Sequence, residues 1–216
     1  MKKIAMLVAL LVLAGGLQAF ADTIVYNDPA GQGTQNFGGN LALDFTVNSP
    51  VTVDALGVFN ASGSGTITGT IDVALYDVTT STVVATARFN GPYTPVSYDV
   101  FQPITPVVLA PGLYQVDAVG FSSSDLNGNL NTLSSSGPTL NPLGGALTFT
   151  GAGWDSNTSL DYPTTCSTCK DAPSPQDSQF DAGTFEASPV PEPSSLLLLG
   201  SGLAAFAGML RRKLRA

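Results

Sequence analysis

Cys166 and Cys169 form a C-x-x-C, and the chain contains no histidine. The missing imidazole excludes Ser-His-Asp and Cys-His triads, histidine general bases and His-zinc sites. Two thiolates alone also fall short of a four-ligand zinc site. A redox dithiol belongs at the start of a helix in an α/β fold, whereas this motif lies in an irregular stretch. A local Cys166–Cys169 disulfide is the simplest reading, with a bridge to another chain or a redox role as alternatives. It would pin its own loop more than the fold, because it closes few residues.

Two further groups of oxygen ligands bear on chemistry. Asp125-Leu126-Asn127-Gly128-Asn129-Leu130-Asn131 carries oxygen side chains at alternate positions, as a Ca²⁺ loop does. Leu130 stands where an EF-hand needs glycine, and Ser136 where it needs an acid. An Asn/Gly turn is the expectation, Ca²⁺ binding the alternative. Asp155 follows Trp154 and Asp161 precedes Tyr162. Sugars stack on aromatic faces, and glycosidases set two carboxylates about 5–9 Å apart. Nothing selects a pair, and core or edge packing of Trp154 and Tyr162 is the simpler expectation. No catalytic, cofactor-binding or metal-ligating residue is assigned, no cofactor is expected, and the chain reads as a non-enzyme.

The charge is unevenly placed. Six of the eight basic residues sit at the ends: Lys2, Lys3, Arg211, Arg212, Lys213 and Arg215. From Asp22 to Pro189 there are 2 basic and 15 acidic residues, so the net charge is 2 − 15 = −13. Such a surface repels nucleic acid, whose phosphates need Lys and Arg, and reads as a solvated exterior.

The elements that would position these residues are strands. Leu41, Leu43, Phe45 and Val47 alternate with Ala42, Asp44 and Thr46, a period of two with one buried face. Further strands are expected over 23–26, 51–59, 66–78, 82–89, 96–101, 104–109, 113–121, 146–150 and 179–187. Pro103 splits one pair and marks an edge or bulged position, since proline cannot donate to a ladder. Phe180 and Phe185 are expected core anchors. Turn signals recur about every ten residues, which argues for a sandwich or barrel. Residues 122–145 and 155–178 read as irregular.

The two ends read as targeting segments. Met1-Lys2-Lys3, the apolar run 4–17 and Ala19-Phe20-Ala21 form a secretory signal helix, with cleavage expected after Ala21. At the other end Val190-Pro191-Glu192-Pro193 precedes an apolar span, 194–210, and the basic stop Arg211, Arg212, Lys213 and Arg215. Seventeen residues make a helix of about 26 Å, at the short end for a transmembrane helix. The basic cluster holds the C-terminus in the cytoplasm. The expected domains are a signal peptide (1–21), an all-β sandwich (22–187) and a tail (188–216).

The tail's three parts, in that order, resemble the PEP-CTERM sorting signal of Gram-negative bacteria. The resemblance implies that an exosortase, an integral-membrane protease, recognises Val190, Pro191, Glu192 and Pro193 and cuts nearby. It also implies transient anchoring, then a cell-surface or extracellular-matrix location, with exopolysaccharide as a partner. The segments 45–59, 73–77 and 109–114 are similar to jelly-roll-like extracellular β-sandwich domains. The expected function is structural or interactive, in exopolysaccharide or biofilm matrix. A carbohydrate-binding module is the alternative, and a glycan-active hydrolase the third.

Overall fold

The computed structural model describes residues 22–27, 33–129, 139–162, 180–190, 199–200, 202–204, 206–207 and 211. The signal segment 1–21, both cysteines, residues 191–193 and much of the span 194–210 lie outside the described residues. In the tail, positions 199–200, 202–204, 206–207 and 211 are helical. Among the described residues no helix is long and apolar enough to cross a membrane.

Asp22–Pro189 is one compact unit. In chain order its strands are β1 (Thr23–Ile24), β2 (Tyr26–Asn27), β3 (Leu41–Val47), β4 (Val51–Phe59), β5 (Thr66–Asp77), β6 (Thr82–Pro92) and β7 (Pro95–Val96). There follow β8 (Asp99–Leu109), β9 (Gly112–Val119), β10 (Gly128–Asn129), β11 (Thr139–Leu140), β12 (Leu147–Trp154), β13 (Phe180–Asp181) and β14 (Gly183–Pro189). Two five-stranded antiparallel sheets result, ordered β1-β14-β4-β8-β7 and β12-β3-β9-β5-β6. Small ladders β10-β13 and β11-β2 flank them.

The pairs β5·β6, β4·β8 and β3·β9 are nested in sequence and fall in alternate sheets. A long antiparallel hairpin rolled around one core gives this pattern, the plan of a jelly roll. The chain adopts it because each long strand has one apolar face. Leu41, Leu43, Phe45 and Val47 of β3, with Ile71, Val73 and Leu75 of β5, enter the same buried cluster as Val51, Val53, Leu56 and Val58 of β4. Phe45 meets Phe185 of the other sheet at 4.9 Å between ring centroids, and Tyr114 at 5.9 Å. Phe180 is also buried, so both expected aromatic anchors are in the core.

Pro103 sits at a bulge, one of the two positions expected of it, and the two strands expected on either side of it are one. β8 runs unbroken, and its register against β4 shifts between Val53, opposite Val107, and Ala55, opposite Pro103. A bulge accommodates the missing amide without ending the strand. A second irregularity lies between Ile67 and Ile71 of β5. There the amides of Thr68 and Gly69 donate to the Asp125 carboxylate at 2.8 and 2.7 Å.

Hydrogen bonds tie the first strands to the last. The Tyr26 hydroxyl donates to Asp181 Oδ1 at 2.7 Å, and the Thr184 hydroxyl donates to the Tyr26 carbonyl at 2.7 Å. A side chain at Gly128 would strike the Asp181 carboxylate, so this ladder requires glycine there.

Replacing Phe185, which is fully buried between the sheets, removes atoms that the core cannot recover by collapse. Phe185→Ala is expected to lower unfolding free energy by about 3–5 kcal/mol. Leu113→Ala, at a 48% exposed position, should change it by less than about 0.5 kcal/mol. Urea denaturation of both variants checks the pair.

Candidate functional site

Inward-facing Val116 and Ala118 leave Gln115 and Asp117 of β9 on the outer face of the second sheet. A polar outer face is ordinarily wet, yet Gln115 and Asp117 are buried, as are Ala42 and Ala74 beside them. The cover is the segment 155–162, which leaves the end of β12 and crosses that face. Tyr162 meets Tyr76 of β5 edge-on, with ring centroids 5.9 Å apart.

Asn40 fastens this strap. Its side chain is fully buried. Nδ2 donates to Asp155 Oδ1 at 2.9 Å and to the Asn157 and Ser159 carbonyls, both at 3.1 Å. Its Oδ1 accepts from the Asp161 amide at 3.3 Å. Within the strap, Asn157 donates its amide to Asp155 Oδ1 at 2.8 Å and its Nδ2 to Asp161 Oδ2 at 3.0 Å. A side chain at Gly39 would collide with the Asp155 carbonyl, so the Gly39-Asn40 dipeptide permits this close approach.

The structure thus gathers Asp155 and Asp161 into one network, but not as a sugar platform. Trp154 stands opposite Leu41, a core-facing residue, and packs edge-on against Phe37 at 5.8 Å. Tyr162 lies over the opposite, outer face, so the two aromatics share no surface. Both carboxylates accept hydrogen bonds from the protein's own amides. The Asp125–Asn131 segment is similarly committed as far as it is described. Asp125 caps β5, and the buried Asn127 accepts from the Phe37 amide and donates to Gln35 Oε1.

Asp117 has no such partners. It is fully buried, and neither carboxylate oxygen makes a hydrogen bond. Burial pushes its carboxyl well above the usual range, and the negative charges of Asp155 and Asp161 push the same way. The backbone amides of Ala118 and Leu41 oppose this, though neither reaches hydrogen-bond geometry. Burial and the same acids, Asp117 foremost, raise the Tyr76 hydroxyl to about 12.

Beside the strap lies an open groove of about 800 Å³, lined by Asp72, Thr86, Arg88, Gln102, Ser159 and Leu160 among others. Arg88 binds Asp72 in a two-pronged pair at 2.7 and 3.0 Å. Gln102 of β8 donates to the Arg88 carbonyl and the Tyr93 hydroxyl, linking one sheet to the edge strand of the other.

A separate acidic group lies on the first sheet. Asp54 is raised to about 6, by burial first and then by its contact with Asp22 and the charges of Asp22 and Glu186. Of the expected sorting residues, Val190 is described and half-buried, immediately after β14. Arg211 is exposed and helical. Pro191, Glu192, Pro193, Arg212, Lys213, Arg215, Ala19, Ala21, Cys166 and Cys169 lie outside the described residues.

Removing the Asn40 amide takes away the strap's attachment. Asn40→Ala is expected to cost about 1–3 kcal/mol and to speed proteolysis within 155–162, read by mass spectrometry of early fragments. For Asp54, a folded-state pKa of about 6 against an ordinary 3.8 means that the folded form binds its proton more tightly. The resulting stabilisation is present below the ordinary value and is lost as pH rises through 6. Asp54→Asn should therefore raise the melting temperature at pH 7 and flatten its decline between pH 4 and 7.

No curated protein sequence matches this chain. The tail does match a family model, which spans β14's last residue, Val190 and the basic cluster as far as Lys213. Residues 189–213 are a PEP-CTERM protein-sorting motif, which implies export, transient membrane anchoring and processing by an exosortase.

Proposed function

We propose that this chain is an exosortase substrate whose β-sandwich body is a structural or interaction component of the cell surface or extracellular matrix, with exopolysaccharide as its partner. In this reading residues 1–21 are a cleaved signal peptide and 22–187 the delivered, jelly-roll-like domain. Residues 188–216 are the address, with 194–210 as the transient span and Arg211, Arg212, Lys213 and Arg215 as the stop. The chain itself is not an enzyme; the bond-breaking chemistry belongs to the exosortase.

The observation that carries the reading is the sorting motif at 189–213. Its physics suits a protease substrate. Pro191 and Pro193 lack amide donors and favour an extended backbone, which keeps this stretch out of the sheet that ends at Pro189. Support for a non-catalytic body comes from the acids. The buried carboxyl with the strongly raised pKa, Asp117, is sealed from solvent. Asp155 and Asp161 are hydrogen-bonded to the strap, and Asp72 is held by Arg88.

The test is the mass of the protein in cells with and without active exosortase. A C-terminal epitope tag should be lost from the mature protein only where the protease is active. The Glu192→Ala and Pro193→Ala variants should keep it. A tag that persists in both strains sinks the sorting assignment. Retention of the mature protein on the producer's own exopolysaccharide tests the matrix role separately.

A further inference from the structure

We propose that Asn157, on the 155–162 strap, is an N-glycosylation site whose side-chain amide accepts an oligosaccharide from a lipid carrier. The inference rests on the export reading above, because the transferring enzyme meets its acceptors outside the cytoplasm. The sequence holds two acceptor motifs of the form Asn-x-Ser/Thr with x other than proline, Asn60-Ala61-Ser62 and Asn157-Thr158-Ser159.

The fold separates the two. Asn60 is 4% exposed. Its Nδ2 donates to the Thr66 carbonyl and its Oδ1 accepts from the Gly65 amide, both at 2.9 Å, so this amide is committed to closing the β4–β5 connection. Asn157, Thr158 and Ser159 are all exposed, on an irregular segment at the surface, where such acceptors belong.

The strap holds Asn157 by its main chain. Its amide donates to Asp155 Oδ1 at 2.8 Å, and its carbonyl accepts from Asn40 at 3.1 Å. The side chain stays at the surface, where Nδ2 donates to Asp161 Oδ2 at 3.0 Å. A side-chain amide carries two N–H groups, so one remains for Asp161 when a sugar replaces the other. Thr158 and Ser159 also line the open groove of about 800 Å³, together with Asp72, Arg88 and Gln102. A glycan on Asn157 thus starts beside a polar groove whose donors and acceptors match sugar hydroxyls.

In the transfer step Nδ2 attacks the anomeric carbon of an oligosaccharide joined to a membrane lipid through a diphosphate. A C–N bond forms and the C–O bond to the diphosphate breaks. The amide gives one proton to a base of the transferring enzyme, and the lipid diphosphate leaves with the bonding electron pair.

The experiment takes the full chain from the producing bacterium and records its intact mass and the fragment spectra of the peptide containing Asn157. The mass should exceed that of the polypeptide by one oligosaccharide, located on Asn157. Asn157→Gln and Ser159→Ala should lose the whole increment, while Ser159→Thr and Ser62→Ala keep it. Asn40 holds Ser159 through its carbonyl, so Ser159→Ala leaves the strap fastened. An unmodified Asn157 in a chain that begins at Asp22 overturns the proposal and leaves the export reading standing. An increment that survives Ser159→Ala also overturns it. A chain that keeps residues 1–21 defeats the export reading, and the proposal with it.

Discussion

Negative charge without matching positive charge is the constraint on which this fold turns. Between Asp22 and Pro189 the chain has 15 acids and 2 bases, so ion pairing cannot neutralise what the sandwich buries. Yet Asp99, Asp117, Asp125 and Asp181 are all buried. Arg88 and Asp72 make an ion pair on an exposed face, where such pairs add little stability. The interior relies on uncharged donors instead: a tyrosine hydroxyl at Asp181 and backbone amides at Asp125.

Buried asparagines take the organising role that salt bridges have elsewhere. Asn40 holds the strap, and Asn127 holds the segment around Gln35 and Phe37. Asn60 closes the β4–β5 connection through the Gly65 amide and the Thr66 carbonyl. Each amide offers both donors and an acceptor, so one side chain can satisfy several backbone groups of an irregular segment. Neutral hubs of this kind suit a protein exported into varied salt, because they are not subject to the screening that weakens surface charge pairs.

The inner faces of both sheets were legible because a one-sided core imposes a period of two, as Leu41 to Val47 show. The nested pairing was not, since register depends on contacts between strands far apart in sequence. The outer face of the second sheet misled for a definite reason. Gln115 and Asp117 alternate with core residues, as solvent-facing positions should, and nothing local says that a strap eight residues long will cover them. Gly39 admits the strap's backbone beside the buried Asn40 amide, a role that no local pattern announces. Trp154 and Tyr162 each pack edge-on against another aromatic, Phe37 and Tyr76, in line with the simpler expectation of packing. The sorting motif at 189–213 was legible because its signal is composition and order, with no dependence on distant contacts.

Strand β14 has a mechanical consequence. It lies between β1 and β4, hydrogen-bonded on both sides, and its last residue opens the sorting motif. Its register places Ala187 beside Thr23, so the body's two ends leave the sandwich at one corner. A pull on the C-terminal end is therefore carried first by the two ladders of β14. A domain held at that end resists tension through an interior strand of its sheet, the geometry suited to a component that is tugged by whatever it is joined to.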